Sequence, residues 1–153
     1  MEHRFIDIHF RKRRTVVAEP KVCAGCRTCE IICSLTHEGS VDLERSRIWV
    51  KSNSFKGSFI PQVCRQCSDA PCFYACPESA IHIEKTHGTV QIDGEKCTGC
   101  RACEEACPFK VIRFDAEKNK ASKCDFCQGQ PQCVAWCPVN ALGVTEFGGD
   151  IPQ

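Results

Sequence analysis

The chain reads as an α+β protein of short strands and short helices, and three observations predict that class. Its sixteen cysteines fall into four groups of four. Between the groups lie brief apolar runs bounded by turn residues, as short strands are. Around the last step of each group the residues favour a turn or two of helix, and in three of the four groups a proline follows to stop it.

Composition narrows the class further. Of the 153 residues 42% are apolar by a count that includes cysteine. Without the sixteen cysteines the share falls to about a third, thin for an ordinary core. Something besides hydrophobic burial must hold the chain together. Cysteine at this density means either a secreted disulfide scaffold or a metal protein. The first twenty residues lack the apolar h-region of a signal peptide: after the basic run Arg11-Lys12-Arg13-Arg14 the longest uncharged stretch is Thr15-Val16-Val17-Ala18. No stretch approaches the roughly 18 apolar residues of a membrane span. A reducing cytoplasm is therefore expected, and there close cysteine pairs read as metal ligands. The formal charge of +1 points to no nucleic-acid partner. Sixteen thiolates would remove sixteen charges and four cluster cores at a formal +2 would return eight, leaving roughly −7. Arg11 to Arg14 then read as a solvated tail or as a basic patch for an acidic partner.

Along the chain, Arg4 to Arg11 sets Ile6, Ile8 and Phe10 at alternate positions, the pattern of a half-buried strand. Ile48-Trp49-Val50 is a second strand candidate, and Ser52 to Ser58 reads as a loop. Ile81-His82-Ile83-Glu84 and Thr89-Val90-Gln91-Ile92 flank Thr86-His87-Gly88 and predict a hairpin. Val111-Ile112-Arg113-Phe114 is a further strand, and Arg101 to Ala106 shows the short helix most clearly. Gly143 to Gln153 reads as a loop or tail.

The spacings carry the chemistry. Group one is Cys23, Cys26, Cys29 and Cys33; group three is Cys97, Cys100, Cys103 and Cys107 followed by Pro108. Group two is Cys64, Cys67, Cys72 and Cys76 followed by Pro77; group four is Cys124, Cys127, Cys133 and Cys137 followed by Pro138. A [4Fe-4S] cube needs four soft thiolates around a compact core, with backbone N–H groups donating to sulfur. Three cysteines at close spacing let one loop wrap a face of the cube. Gly25 and Gly99 permit close backbone approach or positive φ there. The fourth cysteine, about one helical turn on, points away from that loop. Four-cysteine zinc ribbons are the competing reading, but zinc sites present two pairs rather than compact quartets. No group has the order a radical S-adenosylmethionine enzyme needs, and no phosphate-binding or dinucleotide motif is present. His3, His9, His37, His82 and His87 are scattered and read as structural or exposed, with His37 the one expected nearest a cluster. Trp49 and Trp136 are expected to pack rather than relay electrons.

Quoted together, Cys23-Ala-Gly-Cys-Arg-Thr-Cys-Glu-Ile-Ile-Cys33, Cys64-Arg-Gln-Cys67 with Ala70-Pro71-Cys72, Cys97-Thr-Gly-Cys100 and Lys123-Cys124-Asp125-Phe126-Cys127 resemble a known family. It is the family of four-cluster ferredoxin-type electron-transfer subunits that accompany molybdenum and tungsten oxidoreductases, and the likeness runs from about Val22 to Leu142. With only Pro108 to Lys123 between groups three and four, the chain looks most like the small subunits of tungsten aldehyde oxidoreductases and benzoyl-CoA reductases.

The resemblance implies two pseudo-symmetric bacterial dicluster ferredoxin-like units. Residues 51–107 would form an inserted unit, and residues 21–50 with 108–142 an outer one, with an N-terminal strand and basic segment at 1–20 and a tail at 143–153. It implies a cube on Cys64, Cys67, Cys72 and Cys107, and its neighbour on Cys97, Cys100, Cys103 and Cys76. In the outer unit it implies one cube on Cys23, Cys26, Cys29 and Cys137, and one on Cys124, Cys127, Cys133 and Cys33. The absence of proline after Cys33 is the one departure from the pattern. Electrons would then enter at one end, cross a row of clusters and leave at the other, so the chain would be a subunit and not itself an enzyme. Its partners would be a catalytic tungsten or molybdenum subunit, a flavin-containing NAD-reactive subunit, and in a stacked arrangement further copies of itself. A freely diffusing polyferredoxin is the alternative.

Overall fold

The computed structural model describes residues 13–147. The strand expected over Arg4 to Arg11 lies outside the described residues. Among the described residues eight strands form four separate two-stranded antiparallel sheets, with four α-helices between them. Strand β1 (Arg13–Ala18) pairs with β8 (Leu142–Phe147), from Arg13 opposite Phe147 to Ala18 opposite Leu142. Strands β2 (Trp49–Asn53) and β3 (Ser58–Gln62) form a hairpin, as do β4 (Ile81–Ile83) with β5 (Val90–Ile92), and β6 (Arg113–Asp115) with β7 (Lys120–Ser122).

The hairpin read from residues 81–92 is present, with Ile81 opposite Ile92 and Ile83 opposite Val90. Two loop expectations are corrected. Residues 143–147 belong to β8 rather than to a tail, because β1 offers them a complete ladder partner; the rest of that expected tail lies outside the described residues. The loop expected over Ser52 to Ser58 narrows to residues 54–57, its ends being drawn into β2 and β3. The basic run is corrected at its last two residues, Arg11 and Lys12 lying outside the described residues. Arg13 is buried in β1, donating from Nη1 to the Cys67 carbonyl at 2.5 Å, and Arg14 pairs with Glu146 across the ladder.

The helices follow the cysteine–proline punctuation. Helix α2 (Pro71–Ala75) begins on a proline that needs no N–H in the first turn and ends at Cys76-Pro77. Helix α3 (Ala102–Ala106) ends at Cys107-Pro108, and α4 (Gln132–Ala135) just before Cys137-Pro138. Helix α1 (Thr28–Glu38) contains no such stop. It therefore runs past Cys33 to Gly39, which takes φ 72° and donates its N–H to Leu35 O at 3.0 Å.

Helix α1 packs on α4, and α2 on α3. The buried residues divide into two clusters. One gathers Cys64, Cys72, Cys97, Cys103 and Cys107 with Ile81, Val90, Val111 and Ile112; the other gathers Cys29, Cys33 and Cys133 with Val16, Ile48, Val50, Phe126 and Leu142. Cysteine thus supplies much of each core, as the thin aliphatic composition requires. Trp49 packs against the first cluster beneath the Arg113 guanidinium, 4.1 Å from its ring centre. Trp136, expected to pack, is 59% exposed: it caps α4 at the point where the chain turns outward into Cys137-Pro138. Among the described residues no helix is long and apolar enough to cross a membrane.

Candidate metal centres

All sixteen cysteines lie among the described residues and all are free thiols. Each group opens with a loop that turns in the left-handed region at the second residue after its first cysteine. Gly25 has φ 69° and Gly99 φ 77°, as their type suggests. Gln66 (φ 51°) and Phe126 (φ 64°) occupy the same position in groups two and four, which the sequence did not reveal because neither is glycine. A left-handed L-residue costs about 1–2 kcal/mol, so the surroundings must hold these two in place. Phe126 is 1% exposed. Gln66, equally buried, accepts the Val90 N–H at 2.7 Å and donates to Cys124 O at 2.9 Å.

The closing cysteines share a second turn. In Cys76-Pro77-Glu78-Ser79-Ala80 and Cys137-Pro138-Val139-Asn140-Ala141 the third residue after cysteine has positive φ (54° and 53°). The fourth residue's N–H donates to the cysteine sulfur, Ala80 to Cys76 at 3.3 Å and Ala141 to Cys137 at 3.2 Å. Lys110, at φ 52°, repeats the backbone turn after Cys107. Cys33 lacks the proline turn, and Arg47 N–H reaches its sulfur from another segment at 3.3 Å. Gln66 N–H donates to Cys64 at 3.4 Å, and Ala121 N–H to Cys97 at 3.5 Å.

Three small cavities open among the thiols. The first is lined by Cys64, Cys67, Cys72 and Cys107, the second by Cys76, Cys97, Cys100 and Cys103, and the third by Cys33, Cys124, Cys127 and Cys133. Each combines three cysteines of one group with the last of another. Of the remaining four, Cys23, Cys29 and Cys137 share the second core cluster, and Cys29 feels the charges of Cys23 and Cys26.

Burial raises most of the thiols that shift. It pushes Cys72 and Cys103 up to about 11, Cys29 and Cys124 up to about 12, and Cys133 further still. Such thiols are neutral and inert until a metal displaces their protons. Two run the other way. The Thr28 hydroxyl, 3.4 Å from the Cys26 sulfur, lowers that exposed thiol. Burial pushes Cys33 up, but hydrogen bonds from His37 and the Arg47 N–H outweigh it.

His37 is where the sequence placed it, beside a cysteine. Its Nδ1 lies 2.9 Å from Cys33 O and 3.8 Å from Cys33 Sγ, and its Nε2 lies 3.0 Å from Asp125 Oδ1. Burial works to lower this imidazole, yet hydrogen bonds to Asp125, Cys127 and Cys33 carry it up to about 12. Asp125, held well below the usual carboxylate range against burial by His37 and Arg47, accepts the Cys127 N–H at 2.9 Å. The group ties α1 to the fourth cysteine loop. Of the other histidines, His82 is exposed and the His87 ring lies tilted against Phe126, 6.2 Å between ring centres; His3 and His9 lie outside the described residues.

Two features suit an anionic metal–sulfide core. Five backbone N–H groups aim at cysteine sulfurs, which accept far better as metal-bound thiolates than as thiols. Lys123 is 3% exposed on the wall of the Cys64 cavity, with no carboxylate in ion-pair reach among the described residues. A buried cation without a counter-charge is costly, and a cube carrying four thiolates supplies one.

The sequence profile of the 4Fe-4S dicluster domain family matches residues 55–147. The chain is 44% identical over 127 residues to the aliphatic sulfonate oxidoreductase, polyferredoxin-like subunit, of Pyrococcus furiosus, covering 83% of this chain and 73% of that one. It is 38% identical over 152 residues to the electron transport protein HydN of Escherichia coli strain K12, covering 84% and 86%. Among solved structures it resembles the active site complex BamBC of benzoyl-coenzyme A reductase as isolated, with TM-score 0.56, 27% identity, and 94% of this chain and 82% of that chain covered. Thiol-lined cavities with N–H donors aimed at sulfur, the domain match and relatives of this kind lead to one conclusion: the chain belongs to the 4Fe-4S dicluster domain family of ferredoxin-type iron–sulfur electron-transfer proteins.

Proposed function

We propose that this chain is an electron relay holding four [4Fe-4S] clusters on its sixteen cysteines, as a subunit serving a catalytic tungsten or molybdenum oxidoreductase in a reducing compartment. The observation that carries the reading is the composition of the three cavities, each lined by three cysteines of one group and the closing cysteine of another. That interleaving is what two dicluster units need, with Cys23, Cys26, Cys29 and Cys137 as the remaining site. When bound, the clusters supply one-electron redox chemistry at low potential, on the order of −400 mV for all-cysteine sites of the ferredoxin type.

The chain's own residues ligate, insulate and align. The left-handed turns at Gly25, Gln66, Gly99 and Phe126 bend each loop, and at Gln66 the turn brings the backbone N–H to the Cys64 sulfur. The two cores meet at a seam where Gln66, from one cysteine loop, binds the carbonyl of Cys124, from another. This contact supports a continuous path from the outer unit to the inserted one. The relatives' names, among them a subunit of an aliphatic sulfonate oxidoreductase, support assignment to a larger complex. An anaerobic preparation should contain about 16 iron and 16 acid-labile sulfide per chain, and should co-purify with a tungsten- or molybdenum-containing subunit. An iron-poor, colourless protein that still folds, or one that never associates with such a subunit, would count against the corresponding half of the proposal.

A further inference from the structure

The four thiol sites differ in the fixed charge around them. The site of Cys64, Cys67, Cys72 and Cys107 meets two buried cations. Lys123 lies on its cavity wall, its ammonium donating to Val90 O and, at 3.4 Å, to Cys124 O. Arg13, 5% exposed, donates to Cys67 O. Among the described residues neither has a carboxylate in ion-pair reach, and their hydrogen bonds go to backbone carbonyls.

The other sites are balanced differently. Lys123 also reaches the site of Cys33, Cys124, Cys127 and Cys133, through Cys124 O at 3.4 Å, but there an acid stands as well: Asp125 pairs with Arg47 and meets the His37 ring. Beside Cys97, the half-buried Lys120 donates to its carbonyl, while Arg101 is exposed and paired with Glu104. At Cys29 the adjacent buried charge is an acid, Glu30, 3% exposed and accepting Val50 N–H at 2.7 Å.

Reduction adds one negative charge to a cluster. A fixed cation stabilises the reduced form more than the oxidised one, and more strongly where water is excluded. We propose that Lys123, with Arg13, sets the site of Cys64, Cys67, Cys72 and Cys107 as the most positive in potential of the four, so that an electron rests in the interior of the row, at the seam between the two units. Lys123 acts here as a positioning charge and not as a ligand. The inference rests on the four-cluster reading proposed above.

The test is a redox titration of the complete, anaerobically isolated chain followed by EPR, with iron and sulfide measured on every sample. The step belonging to this site is identified as the one lost in Cys72→Ser. Lys123→Met should shift the reduction equilibrium of that step by about tenfold toward the oxidised form, about 59 mV for one electron. The other steps should move less, Lys123→Arg should restore the position, and Lys51→Met, an exposed control, should change nothing. Arg13→Gln keeps a hydrogen-bond donor without the charge and should shift the same step in the same direction. It also carries the test should Lys123→Met fail to load iron. With iron content intact, an unmoved step, or equal movement of all the steps, overturns the inference. Wild-type protein with far fewer than about 16 iron per chain overturns instead the reading on which it rests.

Discussion

Alanine at Gly99 should destabilise the protein more than alanine at Gly39, although the two backbones are almost alike. Their φ values are 77° and 72°, so each substitution forces an L-residue into the left-handed region at about 1–2 kcal/mol. The surroundings differ. A Cβ at Gly39 meets nothing within 4 Å, whereas one at Gly99 would stand 2.5 Å from the Asn119 backbone oxygen and 2.6 Å from its Oδ1. Backbone cannot step aside as a flexible side chain can. Asn119 is further tied by its Nδ2 to Thr98 O at 3.2 Å, and Ala121 N–H reaches the Cys97 sulfur, so the turn between β6 and β7 is clamped onto the cysteine loop. Overpacking of this kind adds about 1–3 kcal/mol. For a chain of this length an extra 2 kcal/mol lowers the midpoint by about 4–8 °C. The assay is the anaerobic thermal midpoint followed by visible cluster absorbance, with Gly39→Ala as the matched control. Equal midpoints for the two variants would refute the claim that close approach, and not backbone conformation alone, requires glycine at 99.

Paired serine substitutions test how the quartets are shared. Replacing Cys76 and Cys97 together should remove one cluster, leaving about 12 iron per chain, whereas replacing Cys76 and Cys64 should remove two, leaving about 8; equal iron contents would overturn the interleaved assignment. Glu30→Ala should cost about 1–3 kcal/mol in chemical denaturation, because Val50 N–H loses its buried acceptor. Glu30→Gln, which keeps an acceptor, should recover most of that loss. Iron removal by an anaerobic chelator should abolish the cooperative unfolding transition, since cysteine makes up much of both cores; a chelated protein that still melts cooperatively would show that the aliphatic residues suffice.

The cysteine groups were legible because ligand spacing is local, and a loop of a few residues either can or cannot wrap a cube. The left-handed turns were only half legible. Gly25 and Gly99 announce them, but Gln66 and Phe126 are held there by distant partners, Val90 and Cys124 for the first and a fully packed pocket for the second. The repeated turn after Cys-Pro was open to discovery in the recurrence of Cys76-Pro77, Cys107-Pro108 and Cys137-Pro138, each followed two residues later by Ser79, Lys110 or Asn140 and then a small apolar residue. The long run of α1 was likewise written in the missing proline after Cys33.

By itself the sequence determined the four cysteine groups, the hairpin at residues 81–92 and the stops of the short helices, since each depends on neighbours a few residues away. Only the tertiary structure decided that β1 pairs with β8 across more than a hundred residues and that Arg13 and Lys123 are buried beside thiols. The physical reason is that a spacing constrains a loop, whereas the burial of a charge or the partner of a strand is set by what the rest of the chain brings to it.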